Sequence, residues 1–229
     1  MPHLTIPMGA DEFRRLPRNS AYRYRHRDGV AHLTPVAVYY RARLELTPPP
    51  APPPGLALRL VTDADRRDLP EVFAAAFEGV QPFGSLDPDA RLGAARSALQ
   101  QTFRNGDGPW IREASFVAAD AQGAPVGGIL ITLVPPEGPP GRDRFVWTTR
   151  PPADAVARRF GRPHVTWVFV QADRAGRGVG TALLHAATAR LLEMGFAELV
   201  STFLLGNDSS MAWHWRNGFR LLPREQFGD

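Results

Sequence analysis

The sequence has 229 residues, among them 27 arginines but no lysine and no cysteine. These absences exclude disulfides, thiolate metal sites and cysteine nucleophiles, and also Schiff-base lysines and the P-loop, whose motif needs a lysine. A hydrophobic fraction of 44% is enough to form a core. We find no apolar run of membrane-span length and no signal peptide, which predicts a cytoplasmic protein.

The net charge of +4 and the pI of about 10.2 suggest a nucleic-acid-binding protein. However, a chain without lysine and cysteine has few groups with a pKa between those of histidine and arginine, so a small excess of positive charge persists to high pH. Residues 1–55 contain 8 arginines and 4 acidic residues, whereas residues 56–229 contain 19 of each. The excess therefore belongs to the N-terminal part, and nucleic acid is disfavoured as a partner of the rest.

Residues 1–46 predict a small β-rich module, and residues 47–55 predict a proline-rich linker of polyproline type. Residues 22–27 alternate aromatic and basic side chains, and Asp28-Gly29 is typical of a type I′ hairpin turn before residues 30–34. Residues 36–46 predict a further strand. The hairpin is either an antiparallel sheet with inward tyrosines and solvated arginines, or a basic, aromatic surface for nucleic acid or an acidic partner.

Residues 56–229 predict an α/β or α+β domain with one mixed central sheet flanked by helices. Residues 79–86 and 136–163 are predicted to be loops. The predicted elements are strand 56–61, a helix from Asp63 or Asp65 to 77, helix 87–105, strands 115–119 and 126–134, a short helical stretch near 153–160, strand 164–170, helix 180–194, strand 198–205, helix 209–217 and strand 219–222.

A glycine-rich loop joins the predicted strand 164–170 to the helix that follows it. Gly176, Gly178 and Gly180 let the backbone approach a ligand, and the first N–H groups of a helix have no internal partner. Arg177 adds a mobile cation, and Thr181 adds a hydroxyl donor. The pattern predicts an anion site, although such a turn alone fits a tight strand–helix connection equally well.

A second informative segment begins at Asn207, where a predicted strand ends. Asn207 can bond the amides of an extended ligand, and Ser209 or Ser210 can cap the next helix. His214 projects from that helix, which ends at Gly218.

Together the two segments resemble the GNAT family of N-acetyltransferases, in which a [QR]-x-x-G-x-[GA] loop precedes an N-x-x-[AS]-x-x-x-[YH]-x-x-x-G-F segment. The resemblance covers residues 56 to about 222 and is sharpest over 164–220. There are two departures: Ala175, preceded by Arg174, stands where glutamine or arginine is usual, and His214 stands in place of a tyrosine. The N-terminal module and residues 136–163 lie outside the common core.

The resemblance implies a GNAT-like mixed sheet and acetyl-CoA as acetyl donor, without a metal. The pyrophosphate would bind the glycine loop. The pantetheine arm would pair with strand 164–170, where the sheet splays from strand 198–205. The implied cofactor-binding residues are Val168, Phe169, Val170, Ala175, Gly176, Arg177, Gly178, Val179, Gly180, Thr181, Asn207 and Ser210.

The implied mechanism is direct attack of an amine on the thioester, which needs no protein nucleophile. The N–H of Val170 would stabilise the oxyanion, and His214 would protonate the leaving thiolate. From the residues alone, a packed or capping histidine is the alternative. No general base stands out: the candidates are the loop acids Asp87, Asp89, Glu137 and Asp143, while Ser201 and Thr202 are candidates to hold a water.

Residues 79–86 and 136–163 are predicted to select the acceptor. The arginines of the second segment (Arg142, Arg144 and Arg150) indicate an acceptor with an acidic group, or are simply solvated. Aromatic residues either line the acceptor pocket (Trp147, Trp167, Phe169 and Phe203) or belong to the core, and one of Trp213 and Trp215 is expected to pack against the sheet.

The leading hypothesis is an acetyl-CoA-dependent N-acetyltransferase that acts on an amine of a small molecule or peptide, in a chain compatible with a homodimer. The alternative is a non-catalytic CoA-binding module with a partner-binding N-terminal region.

Overall fold

The computed structural model describes residues 4–17, 22–35, 39–50, 56–138 and 145–223. The chain forms two compact units, Met1–Tyr39 and Tyr40–Asp229, and each is described by itself.

The N-terminal unit contains a three-stranded antiparallel sheet in the order β1-β3-β2, formed by β1 (Leu4–Pro7), β2 (Tyr22–Arg27) and β3 (Val30–Pro35). Asp28 and Gly29 have φ of 52° and 73°, as the predicted type I′ turn requires. Along β2 half-buried side chains alternate with exposed arginines, so the arginines occupy the solvated face of the strand. The sequence pattern does not predict β1 or α1 (Ala10–Arg15), because both are short and largely exposed.

The larger unit is the mixed α/β fold that the sequence predicts. The elements are β4 (Tyr39–Glu45), β5 (Ala57–Leu60), α2 (Asp65–Ala76), α3 (Pro88–Phe103), β6 (Phe116–Ala119), β7 (Pro125–Val134), β8 (Arg162–Val170), α4 (Val179–Glu193), β9 (Glu198–Leu204), α5 (Asp208–Arg216) and β10 (Arg220–Leu221). The seven strands form one sheet in the order β10-β4-β9-β8-β7-β6-β5. The stretch predicted to be helical near 153–160 forms turns instead.

Within the strand predicted over residues 36–46, the structure describes β4 over Tyr39–Glu45, and β4 lies in the large sheet and not in the N-terminal one; residues 36–38 lie outside the described residues. β4 pairs with β10 through Ala42 and Arg43, and the N–H of Leu46 donates to the carbonyl of Ala197 at 2.9 Å. Ala42 and Leu46 are buried in the core of the larger unit, and this burial explains why the strand joins that sheet. Residues 51–55 of the predicted linker lie outside the described residues, and the independence of the two parts stays a prediction.

Helices cover both faces of the large sheet. Ile129 and Ile131 of β7 pack in the same cluster as Leu183 and Leu184 of α4. Leu130, between them, packs instead with the side chains of α2 and α3. Residues 126–134 are therefore buried without interruption, as expected of a strand with both faces covered.

The start of α2 is fixed by Asp65, which is only 3% exposed. Its carboxylate accepts two hydrogen bonds from Arg59, at 2.6 and 2.7 Å, and two from the backbone and hydroxyl of Thr62, at 2.7 and 2.8 Å. Burial alone would raise the pKa of Asp65, but the bonds from Arg59 and Thr62 outweigh it, so the pKa is lowered.

We expect Asp65→Asn to lower the free energy of unfolding by about 2 kcal/mol at pH 7, because Arg59 loses its buried partner. The lowered pKa means that this stabilisation is present above the ordinary carboxyl pKa of about 4 and is lost as pH falls through the folded-state pKa. Urea unfolding at pH 7 and pH 3 measures both effects. Asp63→Asn, a change at an exposed ion pair, is the matched control and should cost less than about 1 kcal/mol. Equal losses in the two variants would contradict the assignment.

Candidate functional site

The loop between β8 and α4 forms an open cradle of backbone donors. Gly176 and Gly178 have φ of 74° and 82°, in the left-handed region that favours glycine, and Gly178 is the N-cap of α4. No side chain caps this helix, so the N–H groups of Val179, Gly180 and Thr181 lack an intrahelical partner. A Cβ at Gly176 or Gly178 would meet no atom within 4 Å. The geometry suits an anion at the positive end of the helix.

The remaining loop residues surround this cradle. Arg177, Arg174 and Ala175 are exposed, and Arg174 pairs with Asp173 at 3.4 Å. A Cβ at Gly180 would lie only 3.1 Å from Nε1 of Trp213, so a larger residue there would require the Trp213 side chain to shift. Because Arg174 pairs with Asp173, the exposed Arg177 is the better placed of the two arginines to bind an anion at this cradle.

One edge of β8 is open next to the glycine loop. Among the described residues, the parallel pairing of β8 with β9 comprises His164 with Val200 and Val165 with Ser201. The rest of β8 pairs with β7 alone, up to Val170 opposite Gly127. Backbone groups of residues 166–170 that point away from β7 are therefore available as donors and acceptors to a strand-like ligand. This opening has the form that the sequence resemblance implies.

A cleft of about 620 Å³ lies beside the same two strands. Trp147 and Trp167 line it, and their indole N–H groups are held by the carbonyl of Leu133 at 2.7 Å and the hydroxyl of Thr102 at 3.0 Å. The polar side chains that line it from the strands are those of His164, Thr166 and Thr202.

A sequence model of the acetyltransferase (GNAT) family matches residues 81–219, which is more than half of the chain. The protein belongs to the GNAT family. A search of curated proteins found no match.

Solved structures of other GNAT proteins share this fold. A GCN5-related N-acetyltransferase from Sphaerobacter thermophilus is 18% identical with a TM-score of 0.53; the alignment covers 96% of this chain and 57% of that one. The PaiA N-acetyltransferase from Thermoplasma acidophilum, in complex with coenzyme A, is 13% identical with a TM-score of 0.50, over 75% of this chain and 93% of that one. This chain thus spans little more than half the length of the Sphaerobacter protein.

The GNAT resemblance implies that His214 is a proton donor, and this role stays a prediction; the structure shows the contacts that its side chain makes. Its side chain is buried, Nδ1 lies 2.7 Å from the carbonyl of Ser210, and Nε2 lies 2.7 Å from the hydroxyl of Ser201. A carbonyl only accepts, so Nδ1 carries the proton and Nε2 accepts from Ser201. Burial lowers the pKa of His214 to about 4, although the bond to Ser210 opposes this. His214 is therefore neutral at pH 7, with no proton on Nε2 to donate.

The N-cap of α5 also differs from the prediction. Asn207, and not Ser209 or Ser210, caps the helix: its side-chain oxygen accepts from the N–H of Ser210 and from the hydroxyl of Ser209, both at 3.0 Å. The contact of Asn207 and Ser210 with a cofactor stays a prediction. Because the side-chain oxygen of Asn207 already accepts two hydrogen bonds, its side-chain NH₂ group is the part that could donate to a cofactor.

Several predicted acceptor-site residues lie elsewhere. Phe169 and Phe203 are buried in the core, and Ser201 contacts His214. Trp213 packs against the core, whereas Trp215 is 69% exposed. Among the proposed bases, Asp87 caps α3, Asp89 and Glu137 are exposed, and Asp143 lies outside the described residues, as do Arg142 and Arg144.

The cleft walls are only partly those predicted. Residues 145–151 line it, including Arg150, but residues 79–86 do not, and Phe83 of that loop packs against Phe77. Residues 105–108, which follow α3, form a wall that the sequence pattern does not predict. His164 was not predicted either, because its only signal in the sequence is a lone histidine in an apolar strand.

Within the described ranges, no helix has the length and apolar character needed to cross a membrane. The described part of the chain likewise brings together no group of three or more histidine or acidic side chains suited to a metal.

Proposed function

We propose that the protein is an acetyl-CoA-dependent N-acetyltransferase that acts on an amine of a small molecule or peptide bound in the cleft. The observation that carries this proposal is the open edge of β8. The glycine cradle lies beyond one end of that edge, and the cleft lies beside the other, at His164 and Thr166. A donor that follows the strand therefore has its anionic part at the cradle and its acetyl end directed along β8 towards the cleft.

The residues fit such a donor. The N–H groups of residues 179–181 and the side chain of Arg177 would hold the pyrophosphate, with Ala175 and Gly176 beneath it. The backbone of Val168, Phe169 and Val170 would pair with the pantetheine arm. Acetyl-CoA supplies an acetyl group already activated as a thioester, so no protein nucleophile is needed.

The N–H of Val170 would donate to the acetyl oxygen as negative charge develops there. In this proposal His214 supports α5 against the sheet and is not a proton donor, because Nε2 accepts from Ser201. A neutral amine bound in the cleft attacks the thioester carbon, the C–S bond breaks, and CoA leaves as a thiolate. The proton of the amine passes to groups of the cleft or to water, and water protonates the thiolate.

The second candidate is a CoA-binding module without catalysis, with a partner on the N-terminal module. The exposed arginines of β2 are compatible with an acidic partner. The cleft beside the open edge favours the enzyme, because binding CoA alone does not need a second pocket at the reactive end.

We expect acetyl-CoA to bind with a dissociation constant below about 1 mM, and thiol to be released with at least one amine of a panel of primary amines, polyamines and peptides with free N-termini. Calorimetry measures binding, and a thiol reagent measures release. Binding without release for the whole panel would favour the non-catalytic module. No binding at about 1 mM would reject both candidates.

A further inference from the structure

A chain of hydrogen-bonded side chains runs from the cleft into the interior. The hydroxyl of Thr202, on β9, lies 3.0 Å from Nε2 of His164, whose Nδ1 lies 3.1 Å from the hydroxyl of Thr166. Thr166 contacts Thr132 at 2.8 Å, and the Thr132 hydroxyl donates to the carbonyl of Asp107 at 3.3 Å. Thr202, Thr166 and His164 line the cleft, whereas Thr132 is fully buried.

The carbonyl of Asp107 fixes the direction in which these side chains donate their hydrogen bonds. The carbonyl of Asp107 only accepts, so the Thr132 proton points to it, and the Thr132 oxygen accepts from Thr166. Thr166 has then used its proton and accepts from Nδ1–H of His164. The unprotonated Nε2 accepts from Thr202. The opposite direction would lose the bond to Asp107, so the first direction makes one more hydrogen bond.

We infer that Thr202 presents only an acceptor to the cleft and therefore selects a group that can donate a hydrogen bond, such as the N–H of an amine, over a carboxylate. The Thr202 proton is held by His164, so the lone pairs of its oxygen are what a ligand meets. An amine that donates one N–H to Thr202 keeps its own lone pair free for attack, whereas a carboxylate has no proton to give. The inference rests on the proposed function and names the contact that orients the acceptor amine.

The surroundings of His164 keep it neutral, as this role requires. Burial lowers its pKa to about 3, and the positive charge of Arg162, with a smaller effect of His214, acts in the same direction. The ring of Phe145 contacts the imidazole edge-on at 6.0 Å. Arg150 and Asp107 are the other charged residues of the cleft wall. His164 therefore acts as a positioning residue and does not store a proton between pH 5 and 8.

Two measurements test the inference. In a long-range proton–nitrogen NMR spectrum of the whole protein, assigned with His164→Asn, we expect the Nδ1–H tautomer of His164 at pH 5 and at pH 8. With the best amine of the panel, we expect Thr202→Val to lower kcat/KM about tenfold or more and Thr202→Ser to restore most of it. The factor by which Thr202→Val lowers kcat/KM should be the same at both pH values, and acetyl-CoA binding should be unchanged.

Thr132→Val covers the case in which Thr202→Val does not fold. Thr132 does not line the cleft, and this change removes the hydrogen bond to the carbonyl of Asp107 that fixes the direction of the hydrogen-bonded side chains. We expect it to mix the two His164 tautomers and to lower kcat/KM about threefold. The Nε2–H tautomer in the unmodified protein, or full activity of Thr202→Val, would overturn the inference. If no amine of the panel is acetylated, the proposed function fails and the selection of an amine fails with it, while the tautomer still decides the direction of the chain.

Discussion

Gly178→Val is expected to weaken acetyl-CoA binding at least about 100-fold. At φ 82° a β-branched residue is strained, at a cost of about 1–2 kcal/mol, because its Cβ crowds the backbone. The larger effect falls on the ligand, because the space over the N–H groups of α4 would hold the valine side chain. Losing the close approach removes several charge-assisted hydrogen bonds at once. Calorimetric titration with acetyl-CoA measures the change.

Gly123→Val separates ligand exclusion from backbone strain. Gly123 has φ of 85°, also has no atom within 4 Å of its Cβ position, and lies in the turn before β7, outside the glycine loop. We expect it to cost the same free energy of unfolding as Gly178→Val and to leave acetyl-CoA binding unchanged. If both variants lose binding equally, the cradle is not where the pyrophosphate binds.

The glycine loop could be predicted because its signal is local. Positive φ angles at Gly176 and Gly178, and an uncapped helix start, depend on a few consecutive residues. The hairpin turn at Asp28-Gly29 could be predicted for the same reason, because backbone preferences that residue type alone expresses decide it. The cap of α2 predicted at Asp63 or Asp65 was wrong: the N-cap is Ala64, and no side chain caps the helix.

Which sheet a strand joins, and which side chains meet in the cleft, depend on residues distant in the sequence. The alternation of apolar and polar residues along one strand does not identify those residues. The sequence correctly predicts a strand that includes residues 39–45. It does not predict that the apolar side chains of this strand pack in the same core as α4. Likewise, nothing near His164 in the sequence indicates Thr202 or Thr132. The cap of α5 was predicted at a serine because either serine satisfies the rule, and only the backbone selects Asn207.

His214→Ala is expected to lower the free energy of unfolding by about 2–4 kcal/mol. The change leaves the hydroxyl of Ser201 without its acceptor, removes the side-chain bond to the carbonyl of Ser210, and removes a ring that stacks on Phe203 at 4.3 Å. Urea unfolding at pH 7 measures the loss. Trp215→Ala, on the exposed side of the same helix, should cost less than about 1 kcal/mol.

The pH dependence of stability gives the same residue a second test. The pKa of His214 falls from its ordinary value of 6.5 to about 4 in the folded protein, so the unfolded chain binds more protons between these values. Its contribution is therefore complete above pH 6.5 and is lost as pH falls toward 4. His164 adds a similar loss that continues to about 3. In His214→Ala the slope of stability against pH in this range should fall, and the part due to His164 should remain.

Kinetics of the same variant decide between a structural and a catalytic His214. If His214 only supports α5, kcat per folded molecule should fall less than tenfold, and the pH profile of kcat/KM should keep its shape. A general acid that protonates the thiolate would contribute about 100-fold or more, and its loss would lower kcat with KM unchanged. A large loss of kcat in a fully folded variant would return His214 to the role that the family resemblance implies. It would also require Nε2 to gain a proton when the donor binds.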